Sequence, residues 1–281
     1  MGVDGFGLRT ETGAAGMAAI LADPAGAVIA SDFDGTLSPI VADPEAAYVH
    51  PDAPEVLIEL GRRVGGIVIV TGRPVAQAIA LGRPPGGGPG LADVPGLVVL
   101  GQYGAERWED GRVSAPPPPP GLDRVRAALP GLVADLPGAR IEDKGRALAL
   151  HTRNCADPAA ALAALADPVA KLAAETGLIV EPGRMVLELR PPGVDKGQAL
   201  LAFLAERAAR SVLFAGDDLG DLAAFDAVRA GAASGVPGVA VCSGSAEVAA
   251  ALTERADVVV EGPPGVIALL RTLAAALSGR S

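Results

Sequence analysis

Two acidic residues, Asp32 and Asp34, stand two positions apart directly after the apolar segment Ala27–Ser31. Such a segment predicts a buried strand, and open α/β sheets bind ligands at the carboxyl ends of their strands. One carboxylate placed there can attack phosphorus, and the second can protonate the leaving oxygen and then deprotonate water. An isolated pair of this kind is more often a turn or a helix cap. A calcium loop fails, because Leu37 occupies the position where that loop needs glycine.

Thr71 and Lys196 supply groups that could hold a phosphate. Thr71 follows a second apolar segment, Gly66–Val70, so its hydroxyl and the nearby backbone N–H groups could bind phosphate oxygens. Lys196 opens a predicted helix, where a cation is unfavourable unless a phosphate and a carboxylate nucleophile require it. Taken singly, Thr71 is better explained as an N-cap and Lys196 as a solvated surface lysine.

Three acids follow a third β-rich segment: Asp217, Asp218 and Asp221 come within five residues after Val212–Ala215. Mutual repulsion makes a bare cluster of this kind costly, and a bound divalent cation removes the difficulty. Because the ligands would be oxygens, with no histidine or cysteine nearby, magnesium is favoured over zinc or copper. Helix capping would explain Asp217 or Asp218 but not all three acids.

Strands and helices alternate along the segments that carry these residues, which predicts a doubly wound, parallel-sheet α/β core of the Rossmann-like kind. The predicted strands are Ala27–Ser31, Gly66–Val70, Leu97–Leu100, Val212–Ala215 and Val239–Val241. The predicted helices are Pro54–Arg63, Pro74–Ala80, Lys196–Ala209, Leu219–Arg229 and Gly265–Leu277.

The segment from residue 110 to 191 breaks this alternation. It opens with five consecutive prolines, Pro116–Pro120, which are stiff and cannot join a sheet ladder, so they suit a spacer at a domain boundary. A helix, a strand, a second helix and further strands follow. We therefore predict an inserted α+β domain at 110–191, within a hydrolase core formed by 1–109 and 192–281.

The composition limits the class of partner. Acidic residues outnumber basic ones 33 to 23, and the formal net charge of -10 disfavours nucleic acid or an anionic membrane. Cys155 and Cys242 are isolated, as expected for a reducing compartment. No apolar run is long enough to span a membrane, and the first thirty residues do not resemble a secretory signal. We expect a cytoplasmic protein that acts on a small molecule.

Four segments, in the order DFDGTL, VTG, a lysine and GDDLGD, together resemble the haloacid dehalogenase superfamily of phosphatases. The resemblance implies that Asp32 is the nucleophile, forming an aspartyl phosphate, and that Asp34 is the general acid and base. It also implies that Thr71 and Lys196 hold the phosphate and the nucleophile. Beside Thr71, we expect Gly72 and Arg73 to bind substrate.

The same resemblance implies a magnesium site. Its ligands would be Asp32, the backbone carbonyl of Asp34, and Asp217. Asp218 would complete the site as a further ligand, and Asp221 would support the ligands without itself binding the metal. The inserted domain would correspond to the mobile cap of this superfamily.

Further segments narrow the resemblance to the trehalose-6-phosphate phosphatase family: GQYGAE, IEDKGRALALHTR, GRMVLELRP and DKGQAL. The resemblance runs from about Ala30 to Phe225, and Tyr103 and Gly220 depart from it where many members carry histidine and threonine. It implies hydrolysis of trehalose 6-phosphate to trehalose and inorganic phosphate, the last step of trehalose biosynthesis. It also implies that the trehalose moiety is contacted by three residues of the inserted domain: Glu142, Lys144 and Glu188.

Two other functions remain open. One is a related cap-bearing phosphatase that acts on another sugar or glycerate ester. The other is a catalytically idle partner of a trehalose phosphate synthase, and the intact acids argue against idleness. A synthase domain does not fit within 281 residues, so any synthase partner would be a separate chain.

Overall fold

The computed structural model describes residues 3–183, 185–193, 195–244 and 250–279. Arg184, within the GRMVLELRP segment, lies outside the described residues. The chain forms two compact units, of which one combines Met1–Ala115 with Asp195–Ser281 and the other is Pro116–Val194. The chain therefore leaves the first unit once and returns to it.

Twelve β-strands occur among the described residues. In chain order they are β1 (Ala27–Ser31), β2 (Gly66–Val70), β3 (Leu97–Gly101), β4 (Glu106–Glu109), β5 (Arg112–Ser114), β6 (Arg140–Asp143), β7 (Leu148–His151), β8 (Ile179–Gly183), β9 (Val186–Arg190), β10 (Ser211–Gly216), β11 (Gly238–Gly244) and β12 (Val258–Glu261).

Nine α-helices occur in the same residues. They are α1 (Glu11–Ala22), α2 (Ala53–Gly61), α3 (Val75–Leu81), α4 (Leu122–Val133), α5 (Pro158–Thr176), α6 (Lys196–Glu206), α7 (Leu222–Ala233), α8 (Ala250–Arg255) and α9 (Gly262–Ser278).

An eight-stranded sheet forms the centre of the first unit, in the order β12-β11-β10-β1-β2-β3-β4-β5. The strands from β12 to β3 pair in parallel, whereas β4 and β5 pair antiparallel at one edge. Every residue of β1, β2, β3 and β10 is buried, as expected for strands covered on both faces.

Helices cover both faces of this sheet. One apolar cluster joins the sheet to α1, α2, α3 and α9, and a second joins its opposite face to α6, α7 and α8. Side chains alternate between the faces along each strand, so Ile29 belongs to the first cluster while Val28 and Ala30 belong to the second. The predicted doubly wound α/β core is confirmed.

The second unit is an α+β structure. Its four strands pair antiparallel in the order β6-β7-β9-β8. Helices α4 and α5 pack on one face, where Leu148, Leu150, Leu187 and Leu189 join an apolar cluster with Val125 and Leu165. The alternate residues of β7 and β9 therefore lie on the other face.

The boundaries of the second unit lie later than the predicted 110 and 191. The chain stays in the first unit through Ala115 because β5 pairs with β4 and extends the large sheet. It returns at Asp195, whose side chain caps α6 by accepting a hydrogen bond from the Gln198 N–H at 2.8 Å. The proline run Pro116–Pro120 begins where the chain leaves the first unit.

Three of the strands that sequence patterns do not predict are short and polar. β4 reads ERWE, β5 reads RVS and β6 reads RIED, and their residues are partly or fully exposed. Such segments lack the apolar run that indicates a buried strand, so neighbouring strands must supply the pairing. No helix in the described part of the chain combines the length and the apolar character needed to cross a membrane.

Candidate active site

The site lies at the carboxyl edge of the large sheet, where three neighbouring strands end. β1 lies between β10 and β2, and Ser31 pairs with both Ala215 and Ile69. Asp32 directly follows β1, and its backbone N–H donates to the Ala215 carbonyl at 2.8 Å. Parallel pairing in this register brings Asp32, Thr71 and Asp217 to one edge of the sheet.

Lys196 joins two of the acids. Its Nζ lies 3.0 Å from Asp32 Oδ1 and 2.8 Å from Asp221 Oδ1, and all three side chains are buried. Although burial by itself disfavours the charged amine, Asp221 and Asp32 raise the pKa of Lys196 well above its ordinary value. Burial raises the pKa of Asp32 well above its ordinary value, against the opposing effect of Lys196. Lys196 is thus a buried cation held against the predicted nucleophile.

Asp221, rather than Asp218, completes the inward-facing group of acids. Carboxylate oxygens of Asp32, Asp217 and Asp221 lie within 4.8 Å of one another. Asp221 Oδ2 also accepts hydrogen bonds from the backbone N–H groups of Asp217 at 2.9 Å and Asp218 at 3.2 Å. The exposed Asp218 side chain caps the following turn instead, accepting from the Gly220 N–H at 2.9 Å. The predicted ligand Asp218 therefore lies outside this group, and the predicted supporting residue Asp221 lies within it.

The oxygen-only donor set fits a hard divalent cation. Burial, followed by the charges of Asp221 and Asp218, raises the pKa of Asp217 to about 8, so the carboxylate lacks a sufficient counter-charge within the protein. Thr36 Oγ1 donates to Asp217 Oδ1 at 3.3 Å. Gly35 has a φ of 72°, and a Cβ there would lie 2.0 Å from Asp217 Oδ2. The glycine of DFDGTL thus keeps the space beside the acids open.

Replacing Asp221 with alanine should destabilise the fold far more than replacing Asp218. Asp221→Ala removes one buried partner of Lys196 and the acceptor of two backbone N–H groups, which should lower the free energy of unfolding by about 3 kcal/mol. Asp218→Ala removes a single cap at an exposed turn and should cost ~1 kcal/mol or less. Urea unfolding of both variants measures the difference, and equal losses would contradict the inward position of Asp221.

Asp34 is held by an arginine that was expected to bind substrate. Arg73 Nε donates to Asp34 Oδ2 at 2.7 Å, and Arg73 Nη2 donates to Asp34 Oδ1 at 2.6 Å. The side chain of Asp34 is one-third exposed, whereas that of Arg73 is nearly buried. The sequence gives no sign of this contact, because the two residues come from separate strand ends.

The GQYGAE segment packs against the Thr71 loop. The backbone N–H of Tyr103 donates to the Thr71 carbonyl, and that of Gln102 donates to the Arg73 carbonyl, both at 2.9 Å. Gln102 and Tyr103 adopt φ angles of 48° and 61°, which non-glycine residues rarely do. A Cβ on Gly72 would lie 3.0 Å from Tyr103 Oη. This contact explains the glycine and identifies Tyr103, for which the sequence indicates no role in the site, as a neighbour of the Thr71 loop.

The second unit gathers Glu142, Lys144 and Glu188 on one part of its sheet. Glu142 and Glu188 both pair with Ala149, from the strands on either side of it. Lys144 Nζ donates to Glu188 Oε2 at 2.5 Å, in a largely buried ion pair. Among the described residues, Glu188 Oε1 is buried without a hydrogen-bond partner. A buried acceptor of this kind is costly unless a ligand or water satisfies it.

His151 orients the first of these acids. Its Nε2 lies 2.8 Å from Glu142 Oε2. This hydrogen bond lowers the pKa of Glu142 below its ordinary value, against the effect of burial. The result is a charged, oriented carboxylate on the same sheet face as Glu188, which suits recognition of sugar hydroxyl groups.

Comparisons with known proteins agree with this arrangement. The sequence model of the Trehalose-phosphatase family matches residues 30–257. A probable trehalose-phosphate phosphatase of Sinorhizobium fredii is 36% identical over 202 residues, which cover 70% of this chain and 72% of the relative. Trehalose-6-phosphate phosphatase of Escherichia coli is 30% identical over 203 residues, with the same coverage.

A solved structure shows the same fold. The C-terminal domain of the C. albicans trehalose-6-phosphate phosphatase aligns with a TM-score of 0.70 and 23% sequence identity. The alignment covers 92% of this chain and 95% of that one. At this identity the likeness supports the fold alone.

Proposed function

This chain belongs to the trehalose-phosphatase family, and from that membership we propose that it hydrolyses trehalose 6-phosphate to trehalose and inorganic phosphate. The observation that carries the proposal is the buried Asp32 carboxylate, held by Lys196 at the carboxyl edge of the sheet beside Asp34 and Thr71. This is the arrangement that covalent phosphoryl transfer to a carboxylate requires.

In the proposed reaction, a carboxylate oxygen of Asp32 attacks phosphorus while the bond from phosphorus to the sugar oxygen breaks. Asp34 gives its proton to the sugar oxygen, and trehalose leaves. Asp34, now a carboxylate, takes a proton from water as the water oxygen attacks the aspartyl phosphate. The bond from Asp32 to phosphorus breaks, inorganic phosphate leaves, and both side chains return to their starting states.

Three kinds of group would stabilise the negative charge of the phosphate: the Lys196 cation, the Thr71 hydroxyl and a cation bound by the acids. Lys196 fixes one oxygen of Asp32 and offsets part of the negative charge that accumulates as phosphate approaches. The Thr71 hydroxyl, which accepts from the Arg73 N–H at 3.1 Å and keeps its own proton to donate, would bind a phosphate oxygen. Asp32, Asp217 and the backbone carbonyl of Asp34 would hold Mg²⁺, which when bound polarises the phosphoryl group and neutralises its charge.

We assign recognition of the sugar to the second unit. Glu142 and Glu188 offer carboxylate acceptors, and Lys144 offers a donor to hydroxyl groups. A site built on such groups disfavours ligands without matching hydroxyls, because its polar groups are then left unpaired. The unsatisfied Glu188 Oε1 is one atom that such a hydroxyl would satisfy.

Replacing Glu142, Lys144 or Glu188 with alanine should reduce kcat/KM for trehalose 6-phosphate by about 10²-fold or more, against less than about threefold for a small aryl phosphate. The first unit would hold the phosphate and the nucleophile in the same way for both substrates. Only trehalose 6-phosphate has a second glucose unit, so only its hydrolysis should suffer when contacts to that unit are lost. Steady-state phosphate release on both substrates measures the two ratios to the wild type.

A control for these variants is Asp143→Asn. Asp143 lies between Glu142 and Lys144 in the sequence but pairs with Arg126, and an asparagine oxygen can still accept from the Gly145 N–H, as Asp143 Oδ1 does at 2.8 Å. This variant should leave hydrolysis of both substrates nearly unaffected. Parallel losses on both substrates in the three test variants would mean that these residues support the fold, and the recognition role would be wrong.

A panel of sugar phosphates distinguishes this function from that of a related phosphatase. We expect kcat/KM to be highest for trehalose 6-phosphate, ahead of glucose 6-phosphate, sucrose 6-phosphate and phosphoglycerate. A stronger preference for another ester would assign the chain a different substrate. Absence of turnover on every ester, with magnesium present, would favour the idle partner of a synthase.

A further inference from the structure

Arg73 is held from several directions at once. Besides the two hydrogen bonds to Asp34, its Nη1 donates to the Pro44 carbonyl at 2.9 Å. Its guanidinium carbon lies 5.5 Å from the centre of the Phe33 ring, within the range of a cation–π contact. Only 10% of its side chain is exposed. The guanidinium is therefore a fixed group, with its Nε and Nη2 turned to a carboxylate.

We propose that Arg73 is a positioning residue for Asp34. Its place beside Thr71 would suggest that it binds the phosphate, but we infer that it does not. A planar guanidinium that donates to both oxygens of a carboxylate fixes the carboxylate plane as well as its distance. The side chain of Asp34 is one-third exposed, so packing alone does not fix the plane of its carboxylate. The inference rests on the proposed role of Asp34 as the general acid and base.

The leaving group determines how much this positioning contributes. A sugar oxygen leaves poorly as an alkoxide, so transfer of phosphorus to Asp32 needs a proton from Asp34 as the ester bond breaks. A nitrophenolate is a stable anion and leaves without that proton. General acid catalysis typically contributes about 10²–10⁴-fold. Loss of Arg73 should therefore cost much more for the sugar ester than for the nitrophenyl ester.

The experiment measures kcat/KM for Arg73→Met and Arg73→Lys on trehalose 6-phosphate and on a graded series of aryl phosphates. This constant reports the steps up to departure of the leaving group. We expect about 10²-fold loss for trehalose 6-phosphate, less than about tenfold for p-nitrophenyl phosphate, and a steeper dependence on leaving-group acidity. Arg73→Lys keeps the charge but cannot form the two-pronged contact, so it decides the question if Arg73→Met does not fold.

Arg207→Met is the matched control. Arg207 also donates to a carboxylate, that of Glu109, and lies 5.2 Å from the centre of a phenylalanine ring, that of Phe203. It belongs to the same unit but contacts none of the proposed catalytic groups in the described residues. Its substitution should change stability without changing the dependence of the rate on the leaving group. Circular dichroism and thermal unfolding establish that each variant is folded.

Asp34→Asn separates failure of this inference from failure of the proposed function. It should show the same substrate preference as the Arg73 variants, and the Asp34→Asn, Arg73→Met double variant should lose no more than Asp34→Asn alone. If Asp34→Asn shows no preference, the role of Asp34 is wrong and the inference falls with it. If Asp34→Asn shows the preference and the Arg73 variants raise KM equally for both substrates, Arg73 binds phosphate and only the inference is overturned.

Discussion

Replacing Asp32 with asparagine should abolish phosphate release while leaving the fold intact. The amide has nearly the volume of the carboxylate, so it fits the same buried position at the end of β1. Lys196 keeps its second partner, Asp221. An amide cannot form the aspartyl phosphate, and the loss in kcat should exceed about 10⁴-fold, as for other enzymes deprived of their nucleophile.

The measurement is single-turnover phosphate release from trehalose 6-phosphate, with acid quenching to trap the phosphorylated protein. Wild-type protein should carry acid-stable, alkali-labile phosphate, and Asp32→Asn should carry none. Asp23→Asn serves as the control, because Asp23 lies just before the opposite end of β1 and pairs with Arg210. Activity of Asp32→Asn within tenfold of the wild type, in a preparation free of contaminating phosphatase, would contradict the assignment of the nucleophile.

The sequence predicts the strands that carry this site, because their apolar composition reflects burial on both faces of the sheet. Ala27–Ser31 and Gly66–Val70 are apolar throughout, and segments of this kind are stable as strands covered on both faces. Once the strands are parallel, their carboxyl ends must meet at one edge. The convergence of Asp32, Thr71 and Asp217 therefore follows from periodicity and sheet topology alone.

The division of roles among the acids could not be predicted in the same way. Asp218 and Asp221 lie on a single turn, and nothing in their residue type indicates which one faces inward. The backbone decides it: Asp218 occupies the cap position of a short 3₁₀ turn, and Asp221 closes the same turn from its third position. Gly216 permits this, because a Cβ there would lie 2.5 Å from the carboxyl carbon of Asp221.

Contacts between segments that are distant in the chain could not be predicted from the sequence either. The pairing of Arg73 with Asp34 depends on the relative height of two strand ends, which sequence patterns do not give. The contact of His151 with Glu142 depends on the register of β6 and β7, where Arg140 pairs with His151 and Glu142 with Ala149. A shift of one residue would turn Glu142 to the opposite face. Since β6 is short and polar, its register follows from the packing of its neighbours.

Exhaustive chelation should lower the rate of phosphate release by more than about 10²-fold, and addition of Mg²⁺ should restore the rate. The substrate brings a dianionic phosphate to a group that already contains Asp32, Asp217 and Asp221, against which Lys196 supplies one positive charge. At separations of about 4 Å in a partly buried site, each uncompensated charge pair costs several kcal/mol. Full activity after chelation, with metal content verified by mass spectrometry, would contradict the magnesium assignment.

Binding can be tested without turnover. A ligand that binds only the folded state raises the unfolding temperature, so Mg²⁺ added to the chelated protein should raise its Tm in a concentration-dependent way. Asp217→Asn should abolish that shift, because it removes an inward-facing ligand. Asp226→Asn, an exposed acid on α7 that faces Arg255, should leave the shift unchanged. If both variants kept the full shift, the ion would bind elsewhere, and the three acids would then be held in place by Lys196, Thr36 and the backbone.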